Sequence, residues 1–516
     1  MSLKQKAKLP SRLTLRKDIN LKYETMVAVI KGGLKDAPYA AMTADIWSAH
    51  GKSYLGVTLH WITDLLERKS CAVACRRFKG VHSYDKIADM LSDIISEFQS
   101  KDSAKISHCS TDNGSNFVKT FSEFGLKHIA DTDGSDSDSE TQNTAQIDDT
   151  ENKVEFIDLE SVMNEIRDDP TLPRLPKHVR CASHTLALVA ANVIEKPEIP
   201  LSFKRLYRSA MGKMAALWNL LNRSASKARE TCESVVGRQL PSPVPTRWNS
   251  LYDCTKIALT VKVNLNELFG KLNLPPLKPY DIELLEEYVK IMTPVAIALD
   301  KLQSEKECFY GILMPTIMSA INNLKAVVLV VEHSEVFRNV IVEDIERRFT
   351  WLLDPLSYAA RDALLAAISH PYFRLRFLPR DVRQDAKQIF IVAVRRFASV
   401  RLVSVSRSLS ESSSTTAKCV DNFFNFEEDE TDATPCEETP IDIETLHYLE
   451  DTSYELECLT KYPIIKRFFI KTNTPLPSSA PVERLFSVGG NVMTKKRTRL
   501  TDDRFEKLTL LKANKA

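Results

Sequence analysis

The sequence contains no run of eighteen or more apolar residues, the length that a helix spanning a bilayer needs. Its longest apolar candidate, around Ala326–Val331, is far too short. The basic N-terminus has no apolar stretch behind it, so no secretory signal is predicted. The ten cysteines are scattered without the spacing of a disulfide framework, which indicates reduced thiols. These absences predict an intracellular protein without a membrane partner.

A large excess of charge of one sign is also missing. The 70 Lys and Arg residues nearly balance the 68 Asp and Glu residues, and the net charge is +2. No global basic field therefore indicates nucleic acid. The charge is uneven locally, because residues 1–36 are basic and two later segments are acidic. The length of 516 residues predicts two or three domains.

The sequence after Tyr39 alternates in the manner of a sheet. The stretches AAMTADIWS, SYLGVTLHWIT and KSCAVACRRF predict three strands. Apolar residues from Ile87 to Phe98 recur at helical spacing, and KISHCSTD then predicts a fourth strand. Residues 37–130 are therefore predicted to form the first part of a mixed α/β core.

Two segments interrupt this pattern. Residues 131–169 are acidic, and residues 404–440 begin rich in serine and become acidic, so both are predicted to be disordered inserts. The region between them, 170–403, carries helical spacing and is predicted to be mainly helical. Residues 441–516 are predicted to complete the core.

Acidic residues stand out within the predicted core. Asp45 lies inside an apolar strand, where a carboxylate is costly unless it is paired or binds a cation. Asp112 ends the fourth strand, which is expected to neighbour the first, and Glu483 precedes a predicted helix. Three such carboxylates suit Mg²⁺ or Mn²⁺. Two other interpretations remain open: Asp112 as a turn residue and Glu483 as an ordinary acid in a first helical turn.

Five motifs in order resemble those of the hAT superfamily of transposases. APVERLFSVGGNVMTKKRTRL is similar to its C-terminal signature, and TADIWS and STDNGSNFVK are similar to its two catalytic strands. RCASH resembles its CxxH element, and TRWNS resembles its RW block. The resemblance implies an α/β RNase H-like nuclease core interrupted by a large all-α insertion domain, with a C-terminal dimerisation region. It places Asp45, Asp112 and Glu483 as the acidic (DDE) triad.

The same resemblance implies residues that position DNA. They are Arg247, Trp248 and the basic cluster Lys495, Lys496, Arg497 and Arg499. Trp248 has two open interpretations, a core residue of the insertion or an aromatic that stacks on an unpaired base. The basic cluster has three open interpretations: a solvated helix face, a set of phosphate contacts or a nuclear import signal.

Zinc ligands are scarce in the sequence. Cys181 and His184 have a zinc-like spacing but supply only two ligands. His178 is a candidate third and no fourth stands out, so a structural or DNA-contact role is favoured. Members of the family usually carry an N-terminal BED zinc finger, yet no Cys-x-x-Cys with a later His pair precedes Asp45. The finger was lost or lies upstream. Residues Val154–Leu159 either dock as a strand on a partner such as a small ubiquitin-like modifier or stay unstructured.

These observations predict a nuclear, self-associating protein that cleaves DNA and transfers strands with the help of two metal ions. The alternative is a domesticated, non-catalytic DNA- or chromatin-associated oligomeric regulator. An intact triad favours the enzyme. The missing finger and the acidic inserts favour the regulator.

Overall fold

The computed structural model forms two compact units. The first comprises residues 1–61, 70–181 and 479–516, and the second comprises 62–69 and 182–478. The structure describes residues 11–80, 82–98, 105–112, 114–124, 175–223, 227–244, 249–304, 307–409, 439–494 and 500–515. In these ranges, no helix is both long and apolar enough to cross a membrane.

The first unit is built on a mixed sheet. Its strands are β1 (Ala40–Ala49), β2 (Lys52–Ile62), β3 (Arg68–Phe78), β4 (Ile106–Thr111) and β5 (Lys177–Arg180). They lie in the order β3-β2-β1-β4-β5. β1 runs antiparallel to β2 and parallel to β4, and β5 runs parallel to β4. The four predicted strands and the pairing of the first with the fourth are confirmed.

The turn between β1 and β2 follows from its residues. His50 and Gly51 both have positive φ, 51° and 72°. This is the conformation that a two-residue hairpin turn of the right twist requires, and glycine adopts it at no steric cost. The turn fixes the register in which Asp45 lies opposite Gly56.

Helices cover both faces of the sheet. They are α1 (Arg12–Asp36), α2 (Tyr84–Phe98), α3 (Ser115–Phe124) and, after the second unit, α17 (Ala480–Val492) and α18 (Asp502–Ala513). One face packs residues such as Met42, Leu55, Val57, Ile87, Leu91 and Phe117 into a core. The other face packs Tyr54 and Ala72 against Val482, Phe486 and Phe505 of α17 and α18. Successive side chains of a strand point to opposite faces, so each strand contributes apolar residues to both cores.

The second unit is helical. Its helices are α4 (Ala182–Asn192), α5 (Leu201–Asn222), α6 (Lys227–Val236), α7 (Ser250–Leu259), α8 (Lys262–Lys271), α9 (Pro279–Gln303), α10 (Leu313–Lys325), α11 (Ser334–Arg348), α12 (Thr350–Leu353), α13 (Arg361–Ser369), α14 (Arg383–Leu409), α15 (Pro440–Glu450) and α16 (Pro463–Asn473). Short 3₁₀ turns lie at Val193–Glu195, Tyr310–Ile312 and Leu456–Lys461. The long α9 packs against α4, α5, α7 and α10, and its buried residues include Leu285, Ile291 and Val295.

The predicted domain limits differ from this division in three places. β5 lies in the first unit, inside the range predicted to be helical. α15 and α16 lie in the second unit, although 441–516 was expected to belong to the core. α14 continues to Leu409, past the predicted start of the insert at Ser404. Helical periodicity identifies a helix but not the core it joins, and a strand of four residues is too short to show a period.

Candidate functional site

Asp45 and Asp112 occupy matching positions on two neighbouring strands of the sheet. Ala44 of β1 pairs with Thr111 of β4, and the two strands are parallel. Asp45 and Asp112 are the next residues along the two neighbouring strands, so the sheet brings both carboxyl groups to one place. This register confirms the expectation from the sequence that the two strands are neighbours.

Glu483 reaches the same place on α17. The helix has Pro481 in its first turn, where a missing amide hydrogen costs nothing. Gly56, which lies opposite Asp45, faces this helix. A Cβ atom at Gly56 would lie 2.4 Å from Phe486 Cε1 and 2.7 Å from Val482 Cγ2. The absence of a side chain at Gly56 therefore allows α17 to lie directly on the sheet beside Asp45.

The Asp45 carboxyl has a strongly altered proton affinity. Burial, followed by the negative charge of Asp112 and then that of Glu483, raises its pKa from 3.8 to about 8. The Ile46 amide donates to Asp45 Oδ1 at 2.7 Å and opposes the shift. A carboxyl group held among other carboxylates and away from water is destabilised in its charged form. The three acidic residues therefore act on one another electrostatically.

The other two acids differ from each other in exposure. Glu483 is exposed and Asp112 is half-buried. Partial withdrawal from water raises the pKa of Glu483 above its ordinary value; Asp112 adds to the shift, and Arg484 opposes it. The Gly114 amide donates to Asp112 Oδ1 at 3.1 Å. This hydrogen bond is the one expected if Asp112 is a turn residue. It uses Oδ1 only, and Oδ2 takes no part in it.

Carboxylate oxygens are the ligands that Mg²⁺ and Mn²⁺ prefer. The donor set therefore suits a divalent cation, and a cation would relieve the repulsion that raises the pKa of Asp45. In the described part of the chain, however, no group of three or more His, Cys, Asp and Glu side chains is arranged as a set of metal ligands.

Buried polar residues that the sequence did not single out lie on the face of β1 that carries Asp45. Thr43, two residues before Asp45, shares a 2.6 Å hydrogen bond with Thr58. The Thr58 hydroxyl is in turn 2.7 Å from His60 Nε2. All three are almost fully buried. This chain of hydrogen bonds holds β1 and β2 together next to the candidate site. In the sequence, its only signal was the alternation of polar residues at positions 43, 45, 58 and 60.

The histidine considered as a third zinc ligand has another role. His178 Nε2 is 2.8 Å from Thr111 Oγ1, and its ring stacks on Phe121 with centroids 4.6 Å apart. Burial lowers the pKa of His178 to about 3, so the ring is neutral. Thr111 Oγ1 also donates to the carbonyl of Asp112. His178 thus supports the strand end from which Asp112 projects.

The CxxH pair is divided between the two units. Cys181 is buried at the end of the first unit, and His184 lies on α4 in the second. The Cys181 amide donates to the Thr111 carbonyl, and its thiol accepts a hydrogen bond from the Ser479 amide. These contacts agree with the structural role that the sequence favoured for this element over a zinc site.

Several predicted residues lie outside the described part of the chain. They are Arg247 and Trp248, the cluster Lys495, Lys496, Arg497 and Arg499, and the segment Val154–Leu159. Their predicted roles stay predictions.

The apolar residues of the C-terminal region belong to the core of the first unit. Leu485, Phe486, Phe505 and Leu510 are buried there, with 2%, 7%, 1% and 0% of their surface exposed. Phe486 stacks on Trp47 with ring centroids 5.8 Å apart. These side chains therefore stabilise the fold of a single chain.

Comparison with known proteins gives two findings. Residues 428–514 match the family model described as the hAT family C-terminal dimerisation region. A stretch of 269 residues, 52% of this chain, is 26% identical to the protein described as "Putative AC transposase" of Zea mays. A second relative, described as "Putative AC9 transposase" of Zea mays, is also 26% identical over 269 residues.

The aligned stretch covers 28% and 27% of the lengths of these two relatives. The chain therefore spans well under half of the proteins it resembles. The matched dimerisation region supports self-association. The resemblance that the sequence motifs indicated is confirmed, because both comparisons show that the chain is similar to transposases of the hAT superfamily.

Proposed function

We propose that this protein cleaves and joins DNA with a divalent metal held by Asp45, Asp112 and Glu483. The observation that carries the proposal is a buried carboxyl group within electrostatic reach of two others: burial, then the charges of Asp112 and Glu483, raise the pKa of Asp45 to about 8. Such a cluster is unfavourable for a protein unless a cation compensates it. Perturbed groups of this kind are concentrated at functional sites.

The chain's own residues would divide the work as follows. Asp45 supplies a half-buried carboxylate from the middle of a strand whose position Thr43 and Thr58 fix. Asp112 supplies a carboxylate from a strand end. Glu483 supplies one from the first turn of a helix that Gly56 allows to approach. Bound divalent ions would activate the attacking oxygen and stabilise the leaving oxygen of a phosphodiester.

The fold supports this proposal at a coarser level. A mixed sheet with strand order β3-β2-β1-β4-β5, covered by helices and interrupted by a helical unit, is compatible with the RNase H-like core that the family resemblance implies. The names of the two Zea mays relatives point to transposition. DNA as the substrate would make the nucleus the site of action.

One observation favours the second candidate, a domesticated, non-catalytic DNA-associated oligomer. Among the described residues, no set of side chains is arranged as metal ligands. A protein that kept the fold and the dimerisation region without metal binding would match this arrangement. The two candidates differ in whether the triad binds a cation.

A metal titration combined with a DNA assay separates them. Purified protein with Mn²⁺ should nick or join DNA, and Asp112→Asn should abolish both this activity and Mn²⁺ binding, since the amide keeps the shape but removes the charge. The matched control is Asp93→Asn, an exposed acid on α2 of the same unit. It should leave both properties unchanged.

The loss in Asp112→Asn should be severe, because metal ions supply several kcal/mol of transition-state stabilisation. If wild type and Asp112→Asn bind Mn²⁺ equally weakly and both leave DNA intact while still binding it, the non-catalytic candidate becomes the better one.

A further inference from the structure

Cys181 marks the point where the chain leaves the first unit. Residues 182–478 form most of the second unit, and the chain returns to the first at Ser479. Cys181 is completely buried. The Ser479 amide donates a hydrogen bond to its thiol, with 3.3 Å between N and Sγ, across 298 positions of sequence.

Ser479 is the residue that begins α17. It is the N-cap of that helix, and its own side chain makes no cap hydrogen bond to the helix. Glu483 lies in the first turn of the same helix. A helix start has amides without helical partners, and these must find acceptors elsewhere when they are buried. Ser479 is fully buried, and the Cys181 thiol is the acceptor for its amide.

The backbone of Cys181 makes a second contact, with the strand that carries the other acid. Its amide donates to the Thr111 carbonyl at 2.9 Å. Thr111 is the last residue of β4 and precedes Asp112 directly. One residue thus bonds both to the strand end before Asp112 and to the helix start before Glu483.

We infer that Cys181 is a positioning residue, which holds the start of α17 against the end of β4 so that Glu483 and Asp112 stay close to each other. The thiol acts as a hydrogen-bond acceptor in this role and not as a metal ligand. The inference rests on the proposed function, because the spacing of the two acids has a chemical purpose only if they share a cation.

Hydrogen–deuterium exchange of the full-length chain tests this role directly. Cys181→Val keeps an apolar side chain, larger by about one methyl group, but removes the acceptor, whereas Cys181→Ser keeps an acceptor. A peptide covering residues 479–487 should exchange about fivefold faster in Cys181→Val, the effect of losing one hydrogen bond of ordinary net strength. In Cys181→Ser its exchange should stay close to that of the wild type.

The matched control is Cys109→Val, which alters another fully buried cysteine, on β4 in the core of the opposite face. It should leave exchange in residues 479–487 unchanged. If Cys181 served only to fill space, Cys181→Ala and Cys181→Ser, which have almost the same volume, would accelerate exchange equally, and that equality would overturn the inference. Equal acceleration in Cys109→Val would also overturn it, since the effect would then be global. Should Cys181→Val fail to fold, Cys181→Ala against Cys181→Ser gives the same comparison.

A Mn²⁺ titration of the same samples separates this inference from the proposed function. Several-fold weaker binding in Cys181→Val than in Cys181→Ser, together with faster exchange, supports both. Faster exchange in Cys181→Val without Mn²⁺ binding by the wild type supports the role of Cys181 in holding α17 and overturns the metal-dependent function. Unchanged exchange with intact Mn²⁺ binding overturns the inference and leaves the function standing.

Discussion

At the scale of single residues, Asp45 carries the largest electrostatic cost of the candidate site. Its carboxyl lies in an apolar strand and is half-buried, and two other acids act on it. The strand is otherwise suited to a core, so the acid is unfavourable for the stability of the metal-free protein. Functional sites commonly conflict with stability in this way.

The stability of the metal-free protein should therefore fall with rising pH because of Asp45. Below about pH 4 the carboxyl is protonated in both the folded and the unfolded chain. Between the unfolded value of 3.8 and the folded value of about 8, the unfolded chain loses the proton first, so the free energy of unfolding decreases by at most about 1.4 kcal/mol per pH unit. Above about pH 8 the loss is complete.

Asp45→Asn should remove this loss, and urea unfolding at several pH values measures it. The variant should gain stability over the wild type as the pH rises from 4 to 8, and Asp93→Asn should follow the wild type at every pH. A stability difference between Asp45→Asn and wild type that does not change with pH would contradict the assigned pKa.

Gly56 is the second residue whose identity matters for the site. A Cβ atom there would come within 3 Å of Phe486 and Val482, closer than packed atoms approach. Gly56→Ala should therefore move α17 away from the sheet, weaken Mn²⁺ binding and destabilise the fold by about 1–3 kcal/mol, the range for overpacked sites.

Gly32→Ala is the control for this prediction. Gly32 lies in α1 with nothing within 4 Å of the position of an added Cβ, so alanine should be neutral or stabilise the helix by up to about 1 kcal/mol. Calorimetric unfolding of both variants decides the matter. Equal behaviour of the two would show that α17 does not need the space at Gly56.

At the scale of elements, α18 completes the first unit by binding to β3. The Asn514 side chain donates to the Ala72 carbonyl and accepts from the Ala72 amide, both at 2.8 Å. The Cys75 amide donates to Glu506 Oε1 at 3.1 Å. These contacts satisfy backbone groups of β3 that would otherwise lie open at a sheet edge, while Phe505 packs on Tyr54.

Truncation before Leu500 should therefore unfold or aggregate the protein and not merely produce a monomer. Phe505→Ala should cost about 3–5 kcal/mol of stability, as truncations of buried phenylalanine do. Leu511→Ala, at a partly buried position of the same helix, should cost much less. Urea unfolding measures both, and a soluble, cooperatively folding truncated chain would contradict the assignment of α18 to the core.

At the scale of the whole molecule, the net charge of +2 predicts no long-range attraction to DNA. Any binding must come from local basic groups on phosphate, which displaces counterions. DNA affinity should consequently be tolerant of sequence and fall steeply between about 50 and 200 mM salt. Fluorescence anisotropy with two unrelated duplexes measures both properties. Affinity that ignores salt, or strong preference for one duplex, would speak against phosphate contacts as the main source of binding.

The sequence by itself determined four of the five strands, the pairing of the first with the fourth, the helical character of the middle region and the identities of the three acids. Alternation along a strand and three-and-four spacing along a helix depend only on neighbouring residues, so both can be read locally. The motifs placed Asp45, Asp112 and Glu483 in one family site before any distance was known, and the structure brings them within electrostatic reach of one another.

Tertiary structure alone decided which elements pack together. The sequence assigned residues 441–516 to the core, and only packing placed the helices within 440–473 in the second unit. It marked Phe486 and Phe505 as apolar, yet only packing showed them buried within one chain. The approach of α17 at Gly56 and the contact of Cys181 with Ser479 join residues hundreds of positions apart. A local pattern gives the apolar face of an element, but the distance between remote residues depends on how all faces are buried at once.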